Sequence, residues 1–520
     1  MASIVTDQFR ILNVNNFIES VENSNNSYYI FTSLPNPSLS VGFGRTADWN
    51  TNAAGAPSPI DNFNYSNHVY DTTMFGRKVT NSNIRRIVKR VDWKQGTIYE
   101  KYRHDYSIDN VSPVTGSTRL YDARYFVMNS EYRVYICIDN GSTYSNLIGN
   151  ASQDEPKFTD LEPTRAGESG DGYIWKYLFT VNPADIIKFD STEYITLPSN
   201  WLGSTDSQIQ AIRDAGNSDI NENQLKHISI QKSGFGYGLG LDIEVDILGD
   251  GTGGKAIIST DSSGRITNAQ VSAGGKGYSY GIVDLGPIQS GSISELAELI
   301  PIIPPSKGHG FDLYKELGAE KVLLYTRFDD STANFPTDTQ FAQIGIVKNP
   351  TSLGSTSVYK DNNFSLVDAL KLVNVTGSLS VGEQIKQVVG TTTATGYVVS
   401  FDEQTNVVKY VQDRSLYFNK LTGDQRDYVG VSSEAKVVKF ESSSEAINSS
   451  GGFSASVDTT FSGITTVIAD TTINLGVNFA DGVAQPQINK RSGEIIYLDN
   501  RPTVARNARQ KEDIKVVLEF

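Results

Sequence analysis

Tyr173-Ile174-Trp175-Lys176-Tyr177-Leu178-Phe179-Thr180-Val181 places an aromatic ring at four alternate positions in a row. Side chains of an extended chain point to opposite faces in turn, so Tyr173, Trp175, Tyr177 and Phe179 share one face of a β-strand. Such a stripe fills the space between two packed sheets, and a platform for stacking sugars is the alternative. Upstream, Tyr125 to Met128 and Tyr132 to Ile138 are β-prone runs separated by Asn129-Ser130-Glu131, which reads as a hairpin with a three-residue loop. Val134, Ile136 and Ile138 point one way, Tyr135 and Cys137 the other. With 26 Tyr, 23 Phe and 45 Gly in the chain, the composition predicts an all-β protein with minor helix.

Helical signal is scarce. Ile84, Ile87, Val88 and Val91 follow the i, i+3, i+4, i+7 spacing, with Arg85, Arg86, Lys89 and Arg90 between them, which predicts a short basic amphipathic helix. A second helix is expected from about Ser207 to Ala215, and one turn from Ser294 to Leu299. Between His227 and Leu285 the sequence becomes Gly-rich and repeats itself. Ser233-Gly234-Phe235-Gly236-Tyr237 recurs as Gly274-Gly275-Lys276-Gly277-Tyr278, each after an alternating run, Ile228-Ser229-Ile230 and Ala269-Gln270-Val271. The glycines permit a tight turn across which the tyrosine packs. Pro301, Pro304 and Pro305 mark a stiff linker. Phe364 to about Phe440 reads as short strands with turns at Val381-Gly382-Glu383, Thr395-Gly396-Tyr397 and Thr422-Gly423-Asp424, the pattern of a small β-barrel. Ser442 to Ser456, rich in Ser, Asn and Gly, reads as a flexible linker.

At 520 residues the chain has room for several domains. It contains no run approaching the roughly 20 apolar residues of a membrane-spanning helix. Met1 to Arg10 lacks the basic start and apolar core of a secretory signal. Cys137 is the only cysteine, which excludes intrachain disulfides and thiolate metal cages and fits folding in a reducing cytoplasm. A net charge of −14 argues against a broad nucleic-acid-binding surface.

The chemical motifs are decoys. Gly249-Asp250-Gly251-Thr252-Gly253-Gly254-Lys255-Ala256 has the glycine and lysine spacing of a phosphate-binding loop. Ala256, however, replaces the hydroxyl that would hold magnesium, and Ile257-Ile258-Ser259-Thr260 continues as strand where a helix must start. One Asp in that run is too few ligands for calcium. His68, His104, His227 and His309 have no partner at metal-ligand spacing. No Gly-x-Ser-x-Gly elbow occurs, and Cys137 sits in mid-strand with no base near it in sequence. Catalytic, cofactor and metal residues are therefore expected to be absent. Paired carboxylates for glycoside hydrolysis could still hide among 59 acidic residues.

Several segments, in order, resemble the baseplate wedge protein encoded by gene eight of T-even-type contractile-tailed phages. They are Phe43-Gly44-Arg45 with Trp49; Arg90-Val91-Asp92-Trp93; Gly170-Asp171-Gly172 running into Tyr173 to Phe179; and Glu193-Tyr194-Ile195 with Pro198. Phe335-Pro336 with Gln343 to Pro350 follows, and last Ser492 to Pro502. The resemblance covers roughly Phe9 to Lys226, Gly310 to Pro350 and Ile488 to Phe520. It implies antiparallel β-sandwich domains, a homodimer, and a place in the six wedges around the tail hub beside the equivalents of gene products six, seven and ten. It brings no catalytic residue.

The sequence thus predicts a β-sandwich body interrupted by small β modules. The body takes residues 1–227, 306–350 and 461–520, the last closed by a strand in which Ile514, Val516, Leu518 and Phe520 face the core beside Ile495 to Leu498. A Gly-rich β-repeat module occupies 228–305, and a small barrel-like module with its linker occupies 351–460. The expected function is that of a structural subunit of the tail baseplate in the virion, assembled in the host cytoplasm, with no nucleic acid, membrane or cofactor. A carbohydrate- or receptor-binding tail protein, or a polysaccharide depolymerase, is the alternative.

Overall fold

The computed structural model describes residues 6–33, 56, 58–59, 69–289, 291, 293–328, 340–412, 438–505 and 511–520. Phe43-Gly44-Arg45, Trp49, His68, Phe335-Pro336 and Thr422-Gly423-Asp424 lie outside them. The described residues are mostly β, their sheets antiparallel, and the chain divides into two compact units: Met1–Asn16, Arg85–Leu323 and Val517–Phe520 form one, Phe17–Ile84 and Leu324–Val516 the other.

In the first unit β4 (Phe126–Met128), β5 (Arg133–Asn140) and β6 (Tyr173–Thr180) form a three-stranded sheet in that order. The stripe Tyr173, Trp175, Tyr177 and Phe179 is buried, and Trp175 anchors a core that also takes Val88, Ile195 and Trp201. Burial on both faces explains why β5 shows no polar side: Val134 to Ile138 are all inaccessible to solvent. The β4–β5 loop is Ser130-Glu131-Tyr132, one residue later than its sequence reading, with Asn129 and Arg133 paired across it. Tyr132 takes a left-handed backbone at φ 59°, and the Asn129 side chain accepts from the N–H groups of Glu131 and Arg133.

The predicted basic helix over Ile84 to Val91 is instead a 3-10 turn, Asn81–Asn83, followed by strand β3 (Ile84–Lys89). A short run rich in β-branched residues satisfies helical and extended periods alike, and pairing with β7 (Tyr194–Thr196) decides it. Its arginines are not a solvated face. Arg85 pairs with Asp185 at 2.9 Å, and Arg86 donates to Asn15 while lying over the Tyr314 ring. β3 and β7 belong to a four-stranded sheet, β27-β14-β3-β7, with β14 (Lys321–Phe328) and the C-terminal β27 (Glu512–Glu519). The closing strand therefore pairs with β14 and not with Ile495 to Leu498. Ile514 and Val516 are buried, as the alternation requires.

Helices are few. Residues Asp7–Glu22 form α1, which buries Ile11, Val14, Ile18 and Val21 at helical spacing. In α2 (Pro183–Phe189) the Asn182 side chain caps the start and Pro183 occupies the first turn. The expected helix after Asp206 is α3 (Ser207–Gly216), where the Asp206 carboxylate accepts from Gln208 and Ile209. Short helical turns also occur at α4 (Ser218–Asn221) and α5 (Leu313–Glu316).

The Gly-rich segment folds around its own core of Tyr237, Val245, Ile247, Ile258 and Tyr278. β8 (Ile228–Lys232) pairs with β13 (Glu298–Pro301), so Glu298 and Leu299 of the turn expected over Ser294 to Leu299 are strand, and Glu295 makes an isolated bridge to Phe235. Pro301 is tolerated because β13 has only β8 bonded to it. Strands β9 (Asp242–Gly249), β10 (Thr252–Thr260), β11 (Ile266–Lys276) and β12 (Gly281–Val283) form a sheet in the order β11-β10-β9-β12. Both repeat tyrosines are buried, and Tyr278 packs across the β9–β10 hairpin rather than its own glycine turn. The Tyr278 hydroxyl accepts from the Gly254 N–H and donates to the Ile247 carbonyl.

In the second unit β1 (Tyr28–Ser33), β2 (Thr73–Val79), β15 (Gln340–Lys348), β16 (Asn363–Ser365) and β26 (Glu494–Ala505) form a sheet in the order β16-β2-β1-β15-β26. Beside it stands a closed barrel. Strands β17 (Asp368–Thr376), β18 (Gln384–Val389), β19 (Thr392–Asp402), β20 (Val407–Val411), β21 (Ile447–Ser449) and β22 (Ser454–Val457) close through β17–β20 pairing. Two sequence readings fail here. Thr395-Gly396-Tyr397 is mid-strand, and Gly396 is small because the Tyr410 and Phe440 rings cross it. Ser442 to Ser456 is not a linker: Ile447, Phe453 and Ala455 are buried, so β21 and β22 are barrel staves despite their polar composition. The sheet also continues past 460 through β25 (Val483–Ala484), β24 (Thr471–Ala480) and β23 (Gly463–Ile468).

Candidate functional site

The sequence offered few residues for chemistry, and their surroundings decide what each can do. Cys137 is 0% exposed in β5, its Sγ contacts the Asp139 carbonyl at 3.3 Å, and burial pushes its thiol well up. A nucleophile needs the thiolate, which this burial disfavours. Asp139 instead engages His227, with Nε2 2.8 Å from Oδ2. Burial disfavours the Asp139 charge, but His227, Lys101 and Ser229 together outweigh it and hold the carboxyl below its usual value. Asp139 also accepts from the N–H groups of Asn140 and Gly141. The pair ties the first strand of the Gly-rich segment to the end of β5.

A second histidine pair is buried deeper. His309 Nδ1 lies 2.6 Å from Glu316 Oε1, while Glu316 Oε2 accepts from the Gly310 N–H. Nearby the indole of Trp201 donates to Gly310 and Phe311 carbonyls. Gly216 is required there, since an added Cβ would lie 1.8 Å from the His309 carbonyl oxygen. The pair pins the return of the chain over α3. His104 is exposed.

Lys176 is the titratable group that sequence reading passed over. It sits between the stripe residues Trp175 and Tyr177, fully buried, and donates to the Leu161 carbonyl at 2.7 Å. Burial, with Lys226 adding to it, pushes the ammonium down to about 8. Depressed lysines often mark active sites; this one faces a carbonyl rather than a cleft. Its signal was present in the sequence, because a cation inside a strand buried on both faces must find an internal acceptor.

Gly249 to Ala256 forms the β9–β10 hairpin, and its glycines make room for the Tyr278 ring. An added Cβ at Gly251 or Gly254 would come within 2.4–2.6 Å of that side chain. Asp250 accepts from the hydroxyl and the N–H of Ser279 and from the N–H of Tyr280, which lower its carboxyl to about 2. No helix follows, so the run lacks a phosphate cradle. No group of three or more His, Cys, Asp or Glu side chains is placed to hold a metal among the described residues. A cleft of about 530 Å³ opens in the second unit beside the barrel, lined by Tyr410, Phe440, Asp368, Lys439 and Lys490 among others. Its charges are already paired: Asp368 meets Lys490 at 2.8 Å and Lys439 at 3.4 Å.

The collinear motifs converge on scaffolding. The Arg90 N–H donates to the Glu193 carbonyl, and the Trp93 indole donates to Ser152. In Gly170-Asp171-Gly172 the Asp171 carboxylate accepts from Gln153 and Tyr173, and Gly172 lies so close to Gly141 that a Cβ would meet its Cα at 2.8 Å. In the second unit Gln343 to Lys348 pairs with Glu494 to Asn500, with Ile346 opposite Tyr497. What these elements leave outward are large apolar side chains on loops and on α2, including Ile108, Tyr144, Leu147 and Ile187, suited to contact with another surface.

No protein-family model matches the chain. It is 24% identical over 220 residues to "Baseplate wedge protein gp8" of Enterobacteria phage T4, an alignment that covers 38% of this chain and 60% of that protein. The chain thus spans about three fifths of the length of this relative. The similarity indicates a distant relationship.

Proposed function

We propose that this chain is a structural subunit of a phage tail baseplate, a wedge protein that works by binding its neighbours and catalyses no reaction. The observation that carries this reading is the similarity to the wedge protein gp8. The geometry supports it. Cys137, Lys176, His227 and His309 each meet a partner inside the fold, and the aromatic stripe that could have served as a sugar platform is core. In finer detail, the chain forms a homodimer and joins wedges of a contractile tail beside the equivalents of gene products six, seven and ten, after assembly in the host cytoplasm. Permanent contacts of this kind bury more than about 2,000 Å².

Quantitative mass spectrometry and density maps of purified particles test the proposal. The chain is expected at fixed stoichiometry in the tail-end structure, and particles produced without it should lack a complete baseplate. Its absence from purified particles, or release of reducing sugars from host polysaccharide by the purified chain, would overturn the reading. Light scattering at micromolar concentration tests the dimer, and a monomer alone would refute that part.

A further inference from the structure

The outer face of the Gly-rich segment's sheet breaks the usual alternation of apolar inside and polar outside. Its inner positions are filled by Val245, Ile247, Ile258 and Val283. On the outside Leu248 and Ile282 stand directly opposite each other on β9 and β12, 53% and 64% exposed. β13 runs beside β12, since an added Cβ on Gly281 would lie 3.6 Å from Pro301. Ile300, between buried Leu299 and Pro301, is therefore also outward, and is 43% exposed. Tyr280, two residues before Ile282, adds an exposed ring. Apolar side chains gathered across three strands are driven to leave water.

Charge says what can cover them. Asp242, Glu244 and Asp246 alternate along the exposed side of β9 and lead straight to Leu248. Asp284 follows β12 where the chain pairs back to Asp246, through the Asp284 N–H to the Asp246 carbonyl. Lys255 stands opposite Asp246 and pairs with Glu244 at 3.1 Å, one cation against four carboxylates. A symmetric contact with a second copy would set these carboxylates against themselves, and nucleic acid would be repelled.

We propose that this face docks a different protein, one presenting apolar side chains ringed by Lys and Arg. The inference rests on the reading of the chain as a particle subunit and assigns the Gly-rich segment a role within it.

Ile282→Cys provides the test, because the native Cys137 is buried. The purified variant chain should react readily with a maleimide at position 282. In purified particles the same site should react at least tenfold more slowly. A benzophenone maleimide attached there before assembly should cross-link to a different chain, at a peptide containing Lys or Arg. The double substitution Asp242→Lys, Asp246→Lys should leave the isolated chain's circular dichroism and Tm unchanged but reduce the cross-link at least tenfold. If the chain is present in particles and residue 282 reacts at the free rate, this inference fails while the subunit reading stands. A cross-link to another copy of the chain likewise overturns it. If the chain is absent from particles, the subunit reading fails and takes this one with it.

Discussion

Removing Ile514 to Phe520 deletes nearly all of β27, the strand beside β14 in its four-stranded sheet. Ile514 and Val516 are 7% and 5% exposed, so more than nine tenths of each side chain would return to water. At about 1.5–3 kcal/mol per buried aliphatic side chain, the pair contributes about 3–6 kcal/mol. Half-buried Leu518 and Phe520 add about 1–2 kcal/mol, and these sums are upper bounds because unfolded chains retain some burial. The Lys321–Glu519 pair at 3.1 Å is partly solvated and contributes little. A loss of about 4–8 kcal/mol is comparable with the whole margin of about 5–15 kcal/mol typical of a folded domain. It also bares an edge of β14, an invitation to aggregation. Thermal melts followed by far-ultraviolet circular dichroism should show the truncated chain insoluble or its Tm lowered by about 10–25 °C. Ile514→Ala should cost about 2–4 kcal/mol, whereas Val467→Ser on the exposed side of β23 should stay within about 0.5 kcal/mol. A truncated chain that melts within about 2 °C of the parent would refute the reasoning.

Gly396→Val should destabilise by about 1–3 kcal/mol in urea titration, because its Cβ would lie 2.7 Å from the Tyr410 ring and 3.0 Å from that of Phe440. Burial opposes the Asp368 charge, but Lys490 and Lys439 outweigh it and hold its carboxyl low. The stability this gives is present above the unfolded value of about 3.9 and is lost as pH falls through the folded one. Lys490→Met should therefore raise the pH midpoint of acid unfolding, monitored by far-ultraviolet circular dichroism. Deleting Ser442 to Gly451 removes stave β21 and should yield insoluble protein in an expression assay, since Ile447 is fully buried. Replacing Ser229 to Pro301 with a short Gly/Ser linker should leave the rest of the chain folded by limited proteolysis; loop-closure entropy changes by only about 0.6 kcal/mol per doubling of length.

Legibility in the sequence followed the range of the interaction concerned. The stripe of β6, the β4–β5 hairpin and the helix from Ser207 are written in short spacings, and all are found, the hairpin loop one residue later than read. The stripe of α1, Ile11, Val14, Ile18 and Val21, is equally local, but the asparagines among them weaken its helical signal. Ile84 to Lys89 satisfied two periods at once, and only a partner strand could choose between them. His227 with Asp139 and His309 with Glu316 depend on tertiary approach, so spacing alone could show neither pair. The outward row of Leu248, Ile282 and Ile300 is invisible for the same reason, because it exists only across strands.

The same limit explains how the two β modules are seated. The Gly-rich segment leaves and returns through antiparallel partners, with Ile228 opposite Pro301 and the Ile302 N–H bonded to the His227 carbonyl. The barrel does likewise, with Ala369 on its first strand opposite Ala484 on β25. A segment whose two ends are hydrogen-bonded to each other adds little strain to the chain it interrupts, because the gap it must bridge is one strand spacing. Each also closes its own core, around Tyr278 in one and around Leu370, Val398 and Val408 in the other. The Ser/Asn/Gly-rich stretch before Phe461 suggested an exit near 460, but the pairing partner that ends the barrel's sheet comes only at Ala484. Composition marks where a chain can be flexible; the hydrogen-bonded partner of the first strand marks where a module ends.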